Sequence, residues 1–546
     1  IKISGNVSNT DTRLDNYIGV EYPNSSGAAG VSTSNSLTIN SDNIVTYHKT
    51  VDKDHSITAT GAFTYEKYTR KSLGASGAGF LSDAASSYDL GSATIIHTPS
   101  SSYTDWTLLS WLGRFNYSYK GKYLATASFR ADGSSRYSKG NKWGYFPSGA
   151  LAWRFSEEDF MKTLSFISNG KLRIGYGQTG STAINPYYTL DMLFSGKVSF
   201  DDALYTYYAP GTRLPSDLKW ETTSQTDIGL DIGFFGNRLR LTADYYLKNT
   251  RDLLNTVQLP ASLGYTTTVK NIGKIRNRGF EFQMDADILN KDFKWSASAN
   301  ISFNRNKVVK LYEGQDVQGT TYNLIVANDY VNLLREGLPM SIFYGYQTDG
   351  FDEKGHFVYK DNHKDGSISE DDKTIIGDPN PDFIYGLTST MSWKNFELSF
   401  FIQGSQGNDI YGFSMITQNY KTYLGYNALK EVFYNHWAPD HTKAKYPAVD
   451  NVISTKMADN FIYNGSYLRL KNIKLAYNLP TNKLGINWLK WGQVYISGQN
   501  LLTITKYPWW DPEVNSKGGG ASLNQGIDYY SYPTAKGFTV GVKLSF

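Results

Sequence analysis

The sequence predicts an all-β fold, a transmembrane antiparallel β-barrel with short periplasmic turns and long extracellular loops. Two observations support this: apolar and polar residues alternate along many runs, and these runs are about ten residues long, the length of a transmembrane strand. The chain has 546 residues, 15% of them aromatic, and a mean hydropathy of -0.42. This low hydropathy fits a barrel because only every second strand residue contacts lipid.

The alternation is clearest in residues 280–288. Phe280, Phe282 and Met284 share one face, whereas charged and amide side chains share the other. A soluble β-sandwich would also alternate, but its strands average only about five or six residues. We count roughly sixteen runs of barrel length. Polar faces of such runs carry Arg240, Asp244, Glu281, Asp285, Asp287 and Glu397, which we expect to face the barrel lumen.

The connections between the runs alternate in length. Short turns are expected at residues 52–54, 120–121, 236–237, 290–292 and 394–395, where Gly, Asn, Asp and Lys are suited to tight hairpins. We assign the long connections to the extracellular side. They comprise residues 70–104, 179–218, 250–270, 304–382, 407–461 and 505–535.

Three local features of the sequence add to the prediction of a β-barrel. Ser156 followed by acidic residues predicts a short periplasmic helix over residues 157–164. A change of phase after Leu470 predicts a β-bulge near Lys471 and Asn472. Residues 538–546 alternate up to a terminal Phe546, as in the last strand of outer-membrane barrels. Together these features favour the bacterial outer membrane.

Several segments resemble the SusC/RagA family of TonB-dependent transporters. They follow one another in the order expected for that family and extend over nearly all of the chain. Taken together they are specific, although none would be so alone. The segments are residues 130–137 (RADGSSRY), 143–148 (WGYFPS), 271–281 (NIGKIRNRGFE), 377–383 (GDPNPDF), 467–472 (YLRLKN) and 498–501 (GQNL).

The resemblance implies a barrel of 22 strands filled by an N-terminal plug domain. Residues 1–546 would then be the C-terminal part, with about the last 16 strands, and Ile1 would lie inside a longer precursor. The resemblance further implies import of oligosaccharide or peptide nutrients. Expected partners are a SusD-like surface lipoprotein acting as a lid, the TonB–ExbB–ExbD complex acting through the missing N-terminal part, and outer-membrane lipid. A dimer of two transporter–lid pairs also follows from the family pattern.

A metal-binding loop is predicted in residues 361–372. Calcium loops place oxygen ligands at positions 1, 3, 5, 7, 9 and 12 and glycine at position 6, which is Gly366 here. A structural Ca²⁺ or Mg²⁺ could brace this loop, although imidazole is a poor ligand for a hard cation and an acidic turn needs no ion. The candidate ligands are Asp361, His363, Asp365, Ser367, Ser369 and Asp372.

Catalytic chemistry is not indicated. The seven histidines are scattered, and the chain contains neither a His-Glu-x-x-His motif nor a Gly-x-Ser-x-Gly elbow. Residues 175–180 match a dinucleotide fingerprint by letters but lack the helix that should follow. A net charge of +4 on so long a chain does not favour nucleic acid as a partner, and the chain requires no cofactor. Aromatic residues in the long connections could contact substrate or the lid: Tyr205, Tyr207, Tyr208, Trp509 and Trp510.

Two other functions remain open at this level. A passive porin of about sixteen strands would be complete as it stands, since even strand numbers are permitted. A surface-binding or assembly protein could use the barrel as an anchor and work through its long loops. The order of the family motifs favours the importer over both.

Overall fold

The computed structural model describes residues 1–182, 184–322, 329–420, 427–449, 456–481, 488–517 and 523–546. Four of the predicted long connections therefore contain residues outside the described ranges. Within these ranges, sixteen strands have nine or more residues, in agreement with the expected number. They are β1 Lys2–Ile18, β2 Ala28–Val51, β3 His55–Ala78, β4 Ser100–Tyr119, β5 Tyr123–Ser134, β6 Trp143–Trp153, β7 Ile167–Ser181, β8 Glu221–Phe234, β9 Leu239–Gln258, β10 Thr267–Asn290, β11 Phe293–Lys310, β12 Phe383–Trp393, β13 Phe396–Gln406, β14 Tyr467–Asn478, β15 Trp491–Thr505 and β16 Gly537–Ser545.

Shorter elements lie in the connections. Two α-helices are described, α1 Phe413–Tyr420 and α2 Lys430–Asn435, and no helix in the described part of the chain is long and apolar enough to cross a membrane. Turns of 3₁₀ helix occur at Leu90–Ser92, Phe155–Glu157, Asp159–Met161, Ala261–Leu263, Tyr312–Gly314, Glu370–Asp372 and Asp459–Phe461. The short strands are Ile95–Ile96, Leu193–Phe200, Ala203–Pro210, Arg213–Leu214, Val317–Gln318, Thr321–Tyr322, Asp329–Tyr330, Asn332–Leu334, Ile342–Gly345, Thr348–Phe351, Phe357–Tyr359, Thr374–Gly377, Asp409–Gly412, Ile462–Asn464 and Ile527–Asp528.

Several long strands exceed the predicted length of about ten residues. β2, β3 and β10 each have 24 residues. At about 3.3 Å per residue such a strand is roughly 80 Å long, whereas the hydrocarbon core of a bilayer is about 30 Å thick. These strands therefore continue well beyond any membrane they cross. For the same reason the predicted connection 250–270 is wrong, since β9 runs to Gln258 and β10 begins at Thr267.

Contacts divide the chain into two compact units. The first comprises Ile1–Ala152, Gly175–Gln225 and Thr250–Gly273, and the second comprises Trp153–Ile174, Thr226–Asn249 and Lys274–Phe546. In the first unit β1, β2, β3, β4 and β5 pair antiparallel in chain order. In the second unit β10 to β16 do the same. Both ladders are the up-and-down meander expected of a barrel.

The tight turns and the bulge agree with the sequence. Asp52, Lys53 and Lys120 have φ values of 51°, 61° and 50°, the left-handed conformation that two-residue hairpins require. The register shifts between Leu470 and Asn472 against β15, which is the predicted bulge.

The predicted helix over residues 157–164 is not formed. Two 3₁₀ turns stand in its place, Phe155–Glu157 and Asp159–Met161. Glu158 separates them because its backbone is extended, with φ of -79° and ψ of 149°. Ser156 makes no capping hydrogen bond, so nothing stabilises the first turn of a longer helix.

The two faces of the first unit's strands differ in chemistry. Trp111 and Phe129 on neighbouring strands, with Tyr145 on β6, are 55%, 51% and 60% exposed. A soluble sheet would bury rings of this size, since fully burying one contributes roughly 1.5–3 kcal/mol. Their neighbours on the opposite face include Ser110 and Arg130, which are polar. Apolar outward faces and polar inward faces are the pattern of a membrane barrel.

The longest connections in the second unit are folded rather than irregular. Three short strands from two connections form one sheet, in which Tyr411 pairs parallel with Ile527 and Ile410 pairs antiparallel with Tyr463. Residues from the connections 311–382, 407–466 and 506–536 share one hydrophobic core. That core consists of Tyr322, Val331, Phe343, Tyr411, Phe413, Ile416, Met457, Phe461 and Ile527.

Candidate functional site

A charged cluster lies on the polar strand face of the second unit. The Arg173 guanidinium donates two hydrogen bonds to Asp231, at 2.9 and 3.0 Å, and its Nη2 lies 3.0 Å from Asp244 Oδ1. Gly229 makes room for the cluster, because a Cβ there would lie 2.3 Å from the Asp244 carboxylate. Two carboxylates share one arginine here, and Lys171 Nζ is 3.9 Å from Asp231. The arrangement pairs opposite charges across neighbouring strands and keeps this strand face polar.

The other predicted lumen residues also have polar neighbours. Arg240 donates to the backbone carbonyl of Asn237, and Glu281 accepts from the Ser302 hydroxyl at 3.4 Å. These contacts agree with a polar face but do not assign a ligand to any of the residues. The remaining contacts are Gln283 donating to Asp285 at 3.1 Å, Arg238 donating to the backbone carbonyl of Asp287, and Lys474 donating to Glu397 at 3.1 Å.

A buried ion cluster joins β14 to the connection 506–536. Arg469 Nη2 lies 2.5 Å from Asp511 Oδ1, and both side chains are almost fully buried. Arg469 also donates to Glu513, which accepts from Lys471 Nζ at 2.7 Å. Burial alone would raise the pKa of Asp511, but hydrogen bonds from Arg469 and Thr534 lower this pKa to about 2. Asp511 is therefore ionised and fixes the connection to the strand.

The two predicted tryptophans lie just before this cluster. Trp509 and Trp510 are stacked, with ring centroids 5.1 Å apart and an angle of 14° between the planes. Trp509 packs against a buried group that includes Ile410 and Tyr507. Trp510 is 65% exposed and is therefore the ring that a ligand or a partner protein could contact.

The three predicted tyrosines lie on a hairpin in the first unit. Strands Leu193–Phe200 and Ala203–Pro210 pair antiparallel, and Tyr205, Tyr207 and Tyr208 all belong to the second strand. All three are exposed, and nearly every residue of both strands is exposed as well. The hairpin therefore presents an apolar, aromatic surface without a described covering element, which is the usual mark of an interaction surface.

The predicted metal loop is closed by its own backbone. Asp361 accepts from the amides of Lys364 and Gly366, and Asp372 accepts from those of His363 and Ser369 at 2.9 and 2.8 Å. These amide donors lower the pKa of Asp372.

The Ser367 amide donates a hydrogen bond to the Asp365 carboxylate, and Ser369 caps the turn Glu370–Asp372. Within the described ranges, no three His, Asp or Glu side chains converge as a metal site would require. The residues do not fit an ion in this arrangement, and metal binding stays a prediction.

The sequence matches the family described as "TonB dependent receptor-like, beta-barrel" over residues 3–501. The chain belongs to this family. Its members are outer-membrane proteins, so the chain is an outer-membrane β-barrel, and the polar and apolar strand faces are those facing the lumen and the lipid. The family is one of receptors and transporters rather than enzymes, as expected from the sequence.

Curated relatives give the same result with more detail. TonB-dependent receptor P3 of Formosa agariphila is 36% identical over 541 residues, which is 94% of this chain and 52% of that protein. TonB-dependent receptor SusC of Bacteroides thetaiotaomicron is 35% identical over 461 residues, which is 81% of this chain and 44% of SusC. The chain thus spans about half the length of the relatives it matches.

A solved structure matches the whole chain. The RagAB peptide transporter covers 100% of this chain with a TM-score of 0.86 and 26% identity, and 60% of the transporter chain is matched. The resemblance to the SusC/RagA family is therefore confirmed.

Sequence reasoning missed the ion cluster at Arg469. Arg469 and Lys471 lie in the quoted segment 467–472, and Asp511 and Glu513 lie in a predicted connection, but their pairing spans 42 residues. A charged strand segment that includes an arginine, followed by two acidic residues in the next long connection, was the available signal.

Proposed function

We propose that the protein imports an oligosaccharide nutrient across the bacterial outer membrane as the barrel portion of a longer, TonB-energised receptor. The observation that carries this proposal is the similarity along the chain to SusC and to the RagAB transporter. The polar strand faces, with clusters such as Arg173 and Asp231, suit the passage of a hydrophilic solute. A peptide is the second candidate, because the matched RagAB structure is that of a peptide transporter.

The partners follow from the same similarity. A SusD-like surface lipoprotein would cover the extracellular opening as a lid, and the exposed Tyr205, Tyr207, Tyr208 and Trp510 are candidate contacts for it or for the substrate. Two barrel–lid pairs would form a dimer. Each of these rings offers a large, rigid apolar area, which is the kind of side chain that dominates binding energy at interfaces.

The rest of the receptor would precede this chain. A plug domain, the first strands and a TonB-binding segment would account for the other half of the relatives' length, and the TonB–ExbB–ExbD complex would pull on the plug. Intact mass and N-terminal peptide mapping of the protein isolated from its native membrane test this. A mass near 61.2 kDa would contradict it, and a mass near twice that value would support it.

Uptake measurements separate the importer from a porin. Cells that carry the receptor should accumulate a labelled oligosaccharide, and deletion of tonB should abolish accumulation above the diffusion level. Uptake that continues without TonB would favour a passive porin. Surface binding of the oligosaccharide without any uptake would favour a barrel-anchored binding protein.

A further inference from the structure

A cavity of about 450 Å³ opens on the polar face of the first unit. Its walls include Arg114 of β4, Ser128, Arg130 and Asp132 of β5, and Ser148 of β6. Arg114 is directly opposite Ser128 in the antiparallel ladder, and the Ser128 and Ser148 hydroxyl oxygens are 2.6 Å apart. Side chains from three strands thus converge on one polar surface.

The floor of the cavity is apolar. Phe146 and Trp220 lie edge to face, with ring centroids 5.6 Å apart, and both are buried. Leu108 and Leu112 of β4 complete this part of the lining. An apolar floor with a few fixed polar groups is the usual composition of a small-molecule site.

The two arginines of the cavity differ in their electrostatic environment. Arg130 Nε lies 2.8 and 2.9 Å from the two oxygens of Asp132, and its Nη2 donates to the Ser110 hydroxyl at 3.0 Å. Its charge is therefore balanced. Arg114 is exposed to the cavity and has neither an ion pair nor a hydrogen bond among the described residues. The described residues therefore leave one positive charge in the cavity, that of Arg114, without a partner.

We propose that this cavity binds a carboxylate group of an acidic oligosaccharide, with Arg114 as the residue that selects for the charge. The proposal rests on the proposed import function and names its substrate class. A guanidinium donates two parallel hydrogen bonds to a carboxylate, a geometry that lysine or an amide does not reproduce. The hydroxyls of Ser128 and Ser148 and the carboxylate of Asp132 would bind sugar hydroxyls.

The lining favours a sugar over a peptide. The cavity lies on the face of a sheet whose backbone groups are already paired in the ladder between β4 and β5. A peptide that binds by adding a strand to a sheet needs main-chain hydrogen bonds at a free strand edge, which this surface does not supply. Sugar hydroxyls and carboxylates, by contrast, bind side-chain donors and acceptors such as those of Arg114, Ser128 and Asp132.

Isothermal titration of the intact receptor in detergent tests the proposal with an oligogalacturonate and its fully methyl-esterified form. The wild type should bind the acid at least about tenfold more tightly than the ester. Arg114→Gln should weaken binding of the acid about ten- to hundredfold, as expected for loss of a charged hydrogen-bond pair, and leave the ester within about twofold. Arg114→Lys should restore only part of the affinity.

Arg70→Gln is the matched control. Arg70 of β3 is opposite Thr104 of β4, on the same face as Arg114 but ten residues away, roughly 33 Å along the strand, and it too has no ion pair within the described residues. This variant should bind the acid as the wild type does. Equal losses in both variants would mean that only the overall charge of the lumen matters and would overturn the site.

The remaining outcomes separate this proposal from the import function. Unchanged binding in Arg114→Gln, or Arg114-dependent binding of a free-acid pentaalanine in place of the sugar, would overturn the acidic-sugar site. If uptake is nevertheless TonB-dependent, the import function stands. TonB-independent uptake with Arg114-dependent binding would overturn import by this mechanism and leave the site intact.

Discussion

Arg469 of β14 and Asp511 of the connection 506–536 form a buried ion pair, with 3% and 4% of their side chains exposed. Asp511 accepts further hydrogen bonds from the amides of Glu513 and Thr534, at 2.9 and 3.0 Å. One carboxylate thus holds a strand and two points of a long connection. A charge buried this deeply is stable only with its partner, so removal of either side chain should release the connection.

Asp511→Asn should destabilise the protein by about 3–5 kcal/mol, because Arg469 would be left buried with an incomplete set of charges. Urea titration of the protein refolded in detergent measures this loss. Asp159→Asn is the control, since the pair of Asp159 with Lys162 is exposed and its loss should leave the urea midpoint nearly unchanged. Similar losses in both variants would show that the Arg469 pair does not fix the connection.

The same pair predicts a pH dependence. The pKa of Asp511 is lowered to about 2, below its unfolded value of 3.8. Its contribution to stability is therefore complete above about pH 4 and is lost as the pH falls through the folded pKa. Hydrogen exchange in residues 506–517 should be slow and constant from pH 7 to pH 4, after correction for the intrinsic rate, and faster near pH 2. Asp511→Asn should remove this difference, and exchange that accelerates already at pH 5 would contradict the assignment.

Two adjacent residues of β11 test which strand face contacts lipid. Ala299 lines an apolar surface with Leu241 and Phe282, whereas Ser298 is opposite Asp285 on the polar face. Ala299→Arg should cost about 2–4 kcal/mol near the bilayer midplane, while Ser298→Arg at the same depth should cost little. The yield of heat-modifiable barrel in outer-membrane fractions measures this difference. A lower yield for Ser298→Arg than for Ala299→Arg would reverse the assignment of the faces.

Calcium should order the loop 361–372 if the predicted site forms. The Asp361 and Asp372 carboxylates accept hydrogen bonds from backbone amides, so an ion would have to compete with these amides for both carboxylates. Titration with Ca²⁺ should then slow proteolysis of this loop, and Asp365→Asn should abolish the effect. Glu353→Gln, in the preceding turn, is the matched control for loss of one acidic charge. No protection at millimolar Ca²⁺ would show that the hydrogen bonds alone hold the loop.

Alternation made the membrane-crossing parts of the strands predictable, because lipid and water act on successive residues there. Prediction from alternation failed where a strand continues beyond the part that crosses the membrane. Residues 250–258 do not alternate strictly, yet they continue β9. The β-bulge at Lys471 was visible because the apolar phase of the strand changes there, while the interruption at Glu158 depends on one backbone conformation that composition does not encode.

Packing among distant residues was beyond the sequence. The core that joins Tyr322 to Ile527 brings together residues up to about two hundred positions apart, and each of them alone resembles any apolar residue of a loop. Among the predicted site residues, Asp372 is buried and Trp509 packs against a core, which their places in the sequence did not indicate. The sequence did not single out Arg114, because one arginine on a polar strand face is ordinary. Only the structure shows that the neighbouring Arg130 pairs with Asp132 whereas Arg114 has no such partner among the described residues.

The shared core of the three longest connections also constrains how the sequence of this receptor can evolve. Because Phe343, Tyr411 and Ile527 pack in one cluster although they belong to separate connections, exchange of a single connection with a related receptor would leave mismatched side chains in the other two. New surface specificity by recombination would have to transfer all three connections together. Single substitutions at exposed rings such as Trp510 can instead accumulate without disturbing the rest.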